Sequence, residues 1–190
     1  MDAPADDPIL DAARAQVMAV GVRRTTLTDI ASRAGVSRMT VYRRYPDVHT
    51  VLQALMTREF AALIARAARE AGAAPGDGRE RVVRTAVHGA ELLATHPLFL
   101  RLLDVDPELL LPYVTERVGQ FQSLVIGDLA ARLAEAMDEG SVRRADPQRL
   151  ASAMELAMRG YVLAAHSDAP DDERHHREDL ADMLDAFLRP

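Results

Sequence analysis

Apolar residues along this chain recur every three or four positions, the spacing that places them on one face of an α-helix. No stretch alternates apolar and polar residues as a half-buried strand does. The pattern therefore predicts an all-α protein of about nine helices. The last helix carries Leu180, Met183, Leu184, Phe187 and Leu188. The other predicted helices cover residues 8–20, 27–34, 38–45, 48–71, 79–95, 96–103, 112–137 and 147–165.

Capping signals predict a tight corner between the second and third helices. Thr26 stands three residues before Asp29, which resembles a capping box with Asp in place of Glu. Gly35 can adopt the left-handed conformation that such a corner requires. Ser37 is a favourable N-cap for the third helix. Together these signals predict a helix-turn-helix, with Gly21 ending the helix before it.

The composition fits a helical protein with a sizeable core. The chain has 190 residues, of which 48% are hydrophobic and only 4% aromatic. Cysteine is absent, which excludes disulfides and thiolate metal sites. The acidic N-terminus lacks the order of a signal peptide, and no run of apolar residues reaches membrane-spanning length. We therefore expect a cytoplasmic protein that does not enter a membrane.

The charge is distributed unevenly along the chain. The net charge of −6 by itself argues against nucleic-acid binding. Residues 22–48, however, contain six arginines against Asp29 and Asp47, a local charge of +4, so that the other residues carry −10. A basic patch on an acidic body is typical of a small DNA-binding module.

The third helix has an unusual set of side chains for a solvated helix. It combines hydroxyls, arginines and a tyrosine without any acidic residue: Ser37, Arg38, Met39, Thr40, Tyr42, Arg43 and Arg44. Such side chains can donate hydrogen bonds to phosphates and reach base edges in a major groove. The alternative interpretation is a basic, solvated face of a helical bundle.

Residues 25–55 resemble the DNA-binding region of the TetR family of transcription regulators. The matching residues are Thr26, Asp29, Ile30, Ala31, Ala34, Gly35, Val36, Ser37, Thr40, Val41, Tyr42, Tyr45, Asp47 and Leu52. Two positions differ from the usual family pattern. Tyr45 stands where the family usually has Phe, and we expect its hydroxyl at the surface. Val48 replaces the usual Lys, so that His49 either reaches the same phosphate or the contact is missing.

The resemblance implies two domains: a three-helix, homeodomain-like helix-turn-helix domain over 1–47, and a helical effector-binding and dimerisation domain over 48–190. It also implies roles for individual side chains on double-stranded DNA. Base edges are assigned to Arg38, Met39, Thr40 and Arg43. The DNA backbone is assigned to Thr26, Thr28, Ser37, Tyr42 and Arg44, with Arg23 and Arg24 on flanking phosphates. Tyr45 and His49 complete the set of DNA-binding residues.

The resemblance further implies a homodimer, in which the last two long helices form a four-helix bundle with a second subunit. One recognition helix covers half a site, whereas two placed about 34 Å apart read a palindrome. The last helix would contribute its apolar repeat to this interface. The seam on the preceding helix is predicted from Leu150, Met154, Ala157, Tyr161 and Ala165.

A regulator of this kind also needs a second state that a small-molecule effector favours. The implied pocket for a largely apolar effector lies between residues 79 and 165. Tyr113 is the leading position, because it adds a polar tip beside the break between Pro107 and Pro112. The full set is Phe99, Leu103, Tyr113, Phe121, Met154, Met158 and Tyr161. The alternative for each of these is an ordinary core or dimer contact.

The histidines do not indicate a metal site. His88 and Glu91 lie one turn apart, away from the apolar stripe, and we expect a solvated pair. Glu173 and His176 have the spacing of half a di-iron motif, but no second such pair exists. We therefore expect neither a metal nor another cofactor.

The sequence gives little support for an enzyme, since it contains neither a phosphate-binding glycine loop nor a nucleophile elbow. The predicted function is a ligand-responsive DNA-binding regulator, with repression preferred as the family's commoner mode. The alternative is a helical interaction protein whose helix-turn-helix has lost DNA binding.

Overall fold

The computed structural model describes residues 7–105, 120–166 and 170–190, and in these ranges all regular structure is helical. The described helices are α1 (Pro8–Val20), α2 (Leu27–Ala34), α3 (Arg38–Arg44), α4 (Val48–Gly72), α5 (Gly78–Ala94), α6 (Pro97–Val105), α7 (Gln120–Asp138), α8 (Pro147–Ala164) and α9 (Pro170–Leu188). The predicted all-α class is confirmed. The predicted helix start at Pro112 lies outside the described residues. None of the described helices is long and apolar enough to cross a membrane.

Short-range capping explains where most of these helices begin and end. Gly21 ends α1 with a φ of 80°, and its N–H donates to the carbonyl of Val17. Asp146 caps α8, as its position before Pro147 predicts, and accepts the N–H of Gln148 at 2.9 Å. These ends follow from residues within four positions of each other, and for that reason the sequence alone predicts them.

The chain divides into two compact units. The described residues of the first are 7–60 and 96–105, and those of the second are 61–95, 120–166 and 170–190. This division describes packing, and the functional boundary after residue 47 stays a prediction.

In the first unit, α1 packs against α2 and α6, and α2 packs against α3. Its core contains Leu10, Ile30, Val41, Leu55 and Leu98, each with 0% of its surface exposed. Within α3 only Val41 is buried. The third helix is therefore held by one interior side chain and by the residues at its two ends.

In the second unit, α5 is central and packs against α7, α8 and α9. The start of α5 lies close to the end of α7: Gly78 is buried, and the N–H of Arg79 donates to Ser141 Oγ at 3.1 Å. Asp77 and Glu80 form a reciprocal capping box at the start of α5. The C-terminus is tied down by Arg143, whose Nε donates to the carbonyl of Phe187 at 2.8 Å.

Most of the large residues of the predicted dimer seam lie in the core of the single chain, whereas Met183 of the same prediction is exposed. Leu150, Met154 and Tyr161 are 3%, 0% and 6% exposed within the single chain, so these side chains form the core of their own unit. The same holds for Leu180, Leu184 and Leu188 on α9. Helical periodicity identifies an apolar face but does not say whether that face packs within a chain or between two chains.

Candidate nucleic-acid interface

Backbone hydrogen bonds close the corner between α2 and α3, and they require a residue in the left-handed conformation at its centre. Gly35 has φ 67° and ψ 26°, the conformation that the sequence predicts for it. The N–H of Val36 then reaches the carbonyl of Ala31 at 3.1 Å, a Schellman-type closure of α2. The two helices are thereby joined by a short, fixed turn.

Thr26 begins α2 with half of the predicted capping box. Its Oγ1 accepts the N–H of Asp29 at 3.1 Å. The Asp29 carboxylate does not return to the backbone of Thr26 but accepts the Thr26 hydroxyl at 2.6 Å. Asp is one methylene shorter than Glu, so its carboxylate meets the hydroxyl first.

Ser37 begins α3, and two of the predicted DNA-contact hydroxyls meet at this end of the helix. Ser37 Oγ accepts the N–H of Thr40 at 3.1 Å and lies 2.8 Å from Thr40 Oγ1. The cap holds both hydroxyls in fixed positions on the surface beside the first turn of α3.

The outer face of α3 is exposed and without an acidic residue. Met39 is 75% and Tyr42 49% exposed, although both are large side chains that proteins usually bury. Arg38 and Arg43 are exposed beside them. Val41 is the one buried residue of this short helix, and Arg38, Met39, Tyr42 and Arg43 remain exposed. A helix that presents guanidinium groups, an aromatic ring and hydroxyls in this way is suited to the major groove.

At the end of α3, Tyr45 and Arg44 contact the N-cap of α1. Tyr45 is only 5% exposed, and its hydroxyl donates to Asp7 Oδ2 at 3.3 Å. The expectation of a surface hydroxyl was therefore wrong, because a buried acceptor that lies far away in the sequence binds it. Burial, with the nearby Asp7 carboxylate, raises the pKa of the Tyr45 phenol. Arg44 forms an ion pair with Asp7 Oδ2 at 2.8 Å.

The remaining predicted DNA contacts lie in the same unit. Arg23, Arg24 and His49 are exposed, and Thr28 is half-buried. Arg24 Nε donates to the carbonyl of Val20 at 3.0 Å. A ring nitrogen of His49 lies 3.0 Å from Gln53 Nε2.

Asp47 caps the start of α4. It accepts the backbone N–H and the hydroxyl of Thr50 at 2.7 and 2.8 Å. These two bonds lower the pKa of the Asp47 carboxyl. This cap fixes the first turn of α4, to which His49 belongs.

Comparison with known proteins identifies the family. The model of the bacterial regulatory proteins of the tetR family matches residues 9–55. An uncharacterized HTH-type transcriptional regulator of Mycobacterium bovis is 40% identical over 181 residues, which cover 95% of this chain and 92% of the relative. This chain belongs to the TetR family. As a TetR-family member it is a DNA-binding transcription regulator and not an enzyme.

Solved structures agree with a TetR-family fold. The repressor QsdR of R. erythropolis superimposes with a TM-score of 0.68 at 20% identity, covering 96% of this chain and 94% of QsdR. SmeT in complex with triclosan gives a TM-score of 0.63 at 23% identity, covering 96% of this chain and 90% of SmeT. At such identities the likeness concerns the fold alone.

The residues predicted to bind an effector in this TetR-family regulator fall into both compact units. Phe99, which is buried, and Leu103, which is half-buried, belong to the first unit. On α8 in the second unit, Met154 and Tyr161 are buried and Met158 is half-buried. Tyr113 lies outside the described residues, and the side chain of Phe121 is likewise not described.

The second unit of the regulator also contains an open cleft of about 540 Å³ between α4, α5 and α9. None of the predicted effector residues whose side chains the structure describes lines it. Its wall includes Val83 and Val87, and its rim includes His88. The His88 ring nitrogens lie 2.6 Å from Glu70 Oε2 and 3.4 Å from Glu91 Oε2.

The prediction for His88 was therefore right about Glu91 and missed Glu70. The hydrogen bonds from Arg66 and then from His88 lower the pKa of the Glu70 carboxyl. No spacing along the sequence reveals this contact, because Glu70 and His88 lie on different helices.

Proposed function

We propose that this TetR-family regulator binds a palindromic operator as a homodimer and represses transcription until a small, largely apolar effector releases it. The observation that carries the proposal is the exposed, acid-free face of α3. Met39 at 75% and Tyr42 at 49% are exposed close together on one short helix, and clustered exposed apolar side chains indicate a partner for that face. Its arginines and hydroxyls select DNA as that partner.

We propose the following contacts between surface residues of the first unit and DNA. Arg38, Met39, Thr40 and Arg43 read base edges, and Thr26, Thr28, Ser37, Tyr42 and Arg44 hold the DNA backbone. Arg23, Arg24 and His49 reach flanking phosphates. Tyr45 is buried, so its contribution to DNA binding passes through the position of Arg44.

The homodimer is proposed to form through the outer faces of α8 and α9. Leu156 on α8 is 61% exposed and Met183 on α9 is 51% exposed. Gly160 and Ala186, both small and exposed, lie one turn further along their helices and allow close approach. A second copy of the chain would cover this surface and place two α3 helices on one duplex.

Selection of bound fragments from random or genomic DNA tests the proposal. The wild type is expected to enrich a short palindrome. The double variant Arg38→Ala/Tyr42→Ala should enrich nothing, while its helix content and thermal unfolding stay unchanged because both side chains face solvent. A well-placed base contact such as that of Arg38 contributes about 1–3 kcal/mol, and the backbone contact of Tyr42 is lost in addition, so affinity should fall by about tenfold or more.

Arg144→Ala is the matched control, since Arg144 is exposed and its loss changes the net charge equally without touching α3. This control should enrich the same palindrome as the wild type. Failure of a folded wild-type dimer to enrich any sequence at low salt would contradict the proposal and favour an interaction protein that has lost DNA binding.

The effector is proposed to bind the helical region between residues 79 and 165. Within the second unit, Met154, Met158 and Tyr161 on α8 are the described members of the predicted set, and they offer aromatic and adaptable methionine contacts. SmeT binds triclosan, so triclosan is a suitable first probe in a screen of apolar compounds. An effector should raise the unfolding temperature and release the selected palindrome. A broad screen in which no compound does either would contradict this part of the proposal.

A further inference from the structure

Asp7 buries a carboxylate at the point where α1 and the end of α3 meet. Its side chain is 0% exposed. Oδ1 accepts the N–H of Ile9 at 3.0 Å and so caps α1. Oδ2 accepts the hydroxyl of Tyr45 at 3.3 Å and pairs with Arg44 Nη2 at 2.8 Å. Three donors thus satisfy one buried charge, and two of them belong to the end of the recognition helix.

The recognition helix α3 depends on this anchor because it has few others. It spans seven residues, and Val41 is its one buried residue. Tyr45 closes the helix by donating its N–H to the carbonyl of Val41 at 2.8 Å. The Tyr45 hydroxyl then fixes the closing residue to Asp7. A seven-residue helix with one interior contact takes its orientation largely from such end contacts.

Arg44 is held on one side and open on the other. Its guanidinium pairs with the buried Asp7 and lies over the Tyr45 ring, 5.4 Å from the ring centroid. Yet 42% of the Arg44 side chain remains exposed. A DNA phosphate can therefore approach a guanidinium whose direction is already set and whose charge is partly balanced.

We infer that Asp7 is a positioning residue for DNA binding, which fixes Arg44 and the end of α3 for the operator and withholds part of the Arg44 charge from other DNA. The inference rests on the proposed contact of Arg44 with the DNA backbone. It adds a determinant of specificity that does not itself touch DNA.

Asp7→Asn separates this role from capping. The Asn oxygen still accepts the Ile9 N–H, whereas its amide nitrogen cannot accept from Arg44 or Tyr45. Binding is measured against a palindromic duplex selected in vitro and a random duplex of the same length. Operator affinity should fall by roughly fivefold, the equivalent of about 1 kcal/mol for a partly exposed ion pair.

Affinity for the random duplex should not fall. Its dependence on salt should steepen by up to about 0.9 in the slope of log affinity against log salt, because the freed Arg44 neutralises one more phosphate. A loss of stability alone would lower both affinities together and leave this slope unchanged.

The same substitution in an Arg44→Ala background is the matched control. There Asp7→Asn should leave the salt slope unchanged, and it should lower the ratio of the two affinities only by the smaller effect expected for loss of the Tyr45 hydroxyl bond. Tyr45→Phe keeps the ring and removes the hydroxyl, and it should lower operator affinity in the same direction by less. Tyr45→Phe also serves as the test if Asp7→Asn does not fold.

If Asp7→Asn changed the ratio of the two affinities and the salt slope equally with and without Arg44, the positioning role of Asp7 would be overturned. The proposal that the protein binds DNA would not be affected by that result. A wild type that binds neither duplex would overturn the proposed function as well, so the two failures are distinguishable.

Discussion

At the scale of single residues, the backbone of Gly35 is the feature on which the α2–α3 corner depends. Its φ of 67° lies where L side chains are strained, although no atom lies within 4 Å of the position a Cβ would take. The strain is therefore in the backbone alone and not in packing. The Cβ of any other residue would carry this cost of the left-handed conformation.

We predict that Gly35→Ala destabilises the protein by about 1–2 kcal/mol, because alanine disfavours the left-handed conformation. Gly35→Asn is the control and should cost clearly less, since asparagine visits this region more readily. Urea unfolding at fixed temperature measures both. Equal losses for the two variants would point to a packing role and contradict the backbone explanation.

His96 is a half-buried group whose charge the first unit does not favour. Its side chain is 13% exposed, and its Nδ1 has no hydrogen-bond partner among the described residues. Burial lowers the pKa of the His96 imidazole, and the carboxylate of Glu59, 3.6 Å from Nε2, opposes this effect only in part. The neutral imidazole is therefore the form that fits the folded chain.

This predicts a loss of stability in acid. A free histidine has a pKa of about 6.5, so below that pH the unfolded chain binds a proton that the folded chain resists. The contribution of His96 is complete above this pH and decreases as the pH falls towards the lowered pKa, by at most about 1.4 kcal/mol per pH unit.

His96→Gln should flatten the decrease in unfolding free energy between neutral and mildly acidic pH, as chemical denaturation at several pH values would measure. His96→Asn is a second variant that also cannot titrate but packs differently. If titration is the cause, His96→Gln and His96→Asn should both flatten the dependence of the unfolding free energy on pH, even where their stabilities at neutral pH differ. Curves parallel to that of the wild type would exclude His96 as the source.

At the scale of helices, the start of α5 and the end of α7 approach each other at Gly78. A Cβ there would lie 2.6 Å from Glu139 Oε2, 2.7 Å from Ser141 Oγ and 2.8 Å from Ala136 Cβ. Glu139 Oε2 and Ser141 Oγ are the terminal atoms of side chains that can move, whereas the Cβ of Ala136 is fixed by the backbone of α7. The glycine is thus required by contact between two helices.

Gly78→Ala should destabilise the second unit by about 1–3 kcal/mol through overpacking. Gly127→Ala on α7 is the control. No atom lies within 4 Å of a Cβ at that exposed position, so alanine should stabilise the helix by up to about 1 kcal/mol. Thermal unfolding of the three proteins distinguishes the cases, and a neutral Gly78→Ala would mean that α5 and α7 separate at little cost.

At the scale of the whole molecule, the apolar residues that remain exposed decide how chains associate. Leu156 and Met183 stay outside the core of the second unit, whereas most of the large apolar residues that the sequence assigned to the dimer, such as Met154 and Leu184, lie inside it. The proposed dimer surface is therefore defined only after the chain has folded.

Leu156→Arg should convert a dimer into a monomer at micromolar concentration, because a charge buried without a partner in an apolar interface is costly. Unfolding of the single chain should change little, since Leu156 is 61% exposed. Leu124→Arg on α7 is the control, being 42% exposed outside the proposed surface, and it should remain dimeric. Sedimentation velocity gives the result, and a dimeric Leu156→Arg would place the interface elsewhere.

The sequence by itself determined the features that depend on neighbours along the chain. Helix periodicity, the cap at Ser37 and the left-handed Gly35 act over a few residues, so the helix-turn-helix and its exposed face could be predicted. The family resemblance concerned the same stretch. The capping and periodicity signals and the family resemblance therefore both identified the helix-turn-helix as the candidate DNA-binding region.

Only the tertiary structure decided which side chains meet across long stretches of sequence. The contact of Tyr45 with Asp7, the approach of Ala136 to Gly78 and the burial of Met154 each join residues from separate helices. Periodicity assigns a side chain to a face of its own helix, but the neighbour of that face is set by how the helices pack. For this reason the predicted surface hydroxyl was wrong and most large residues of the predicted dimer seam proved to be core residues, while the corner was right.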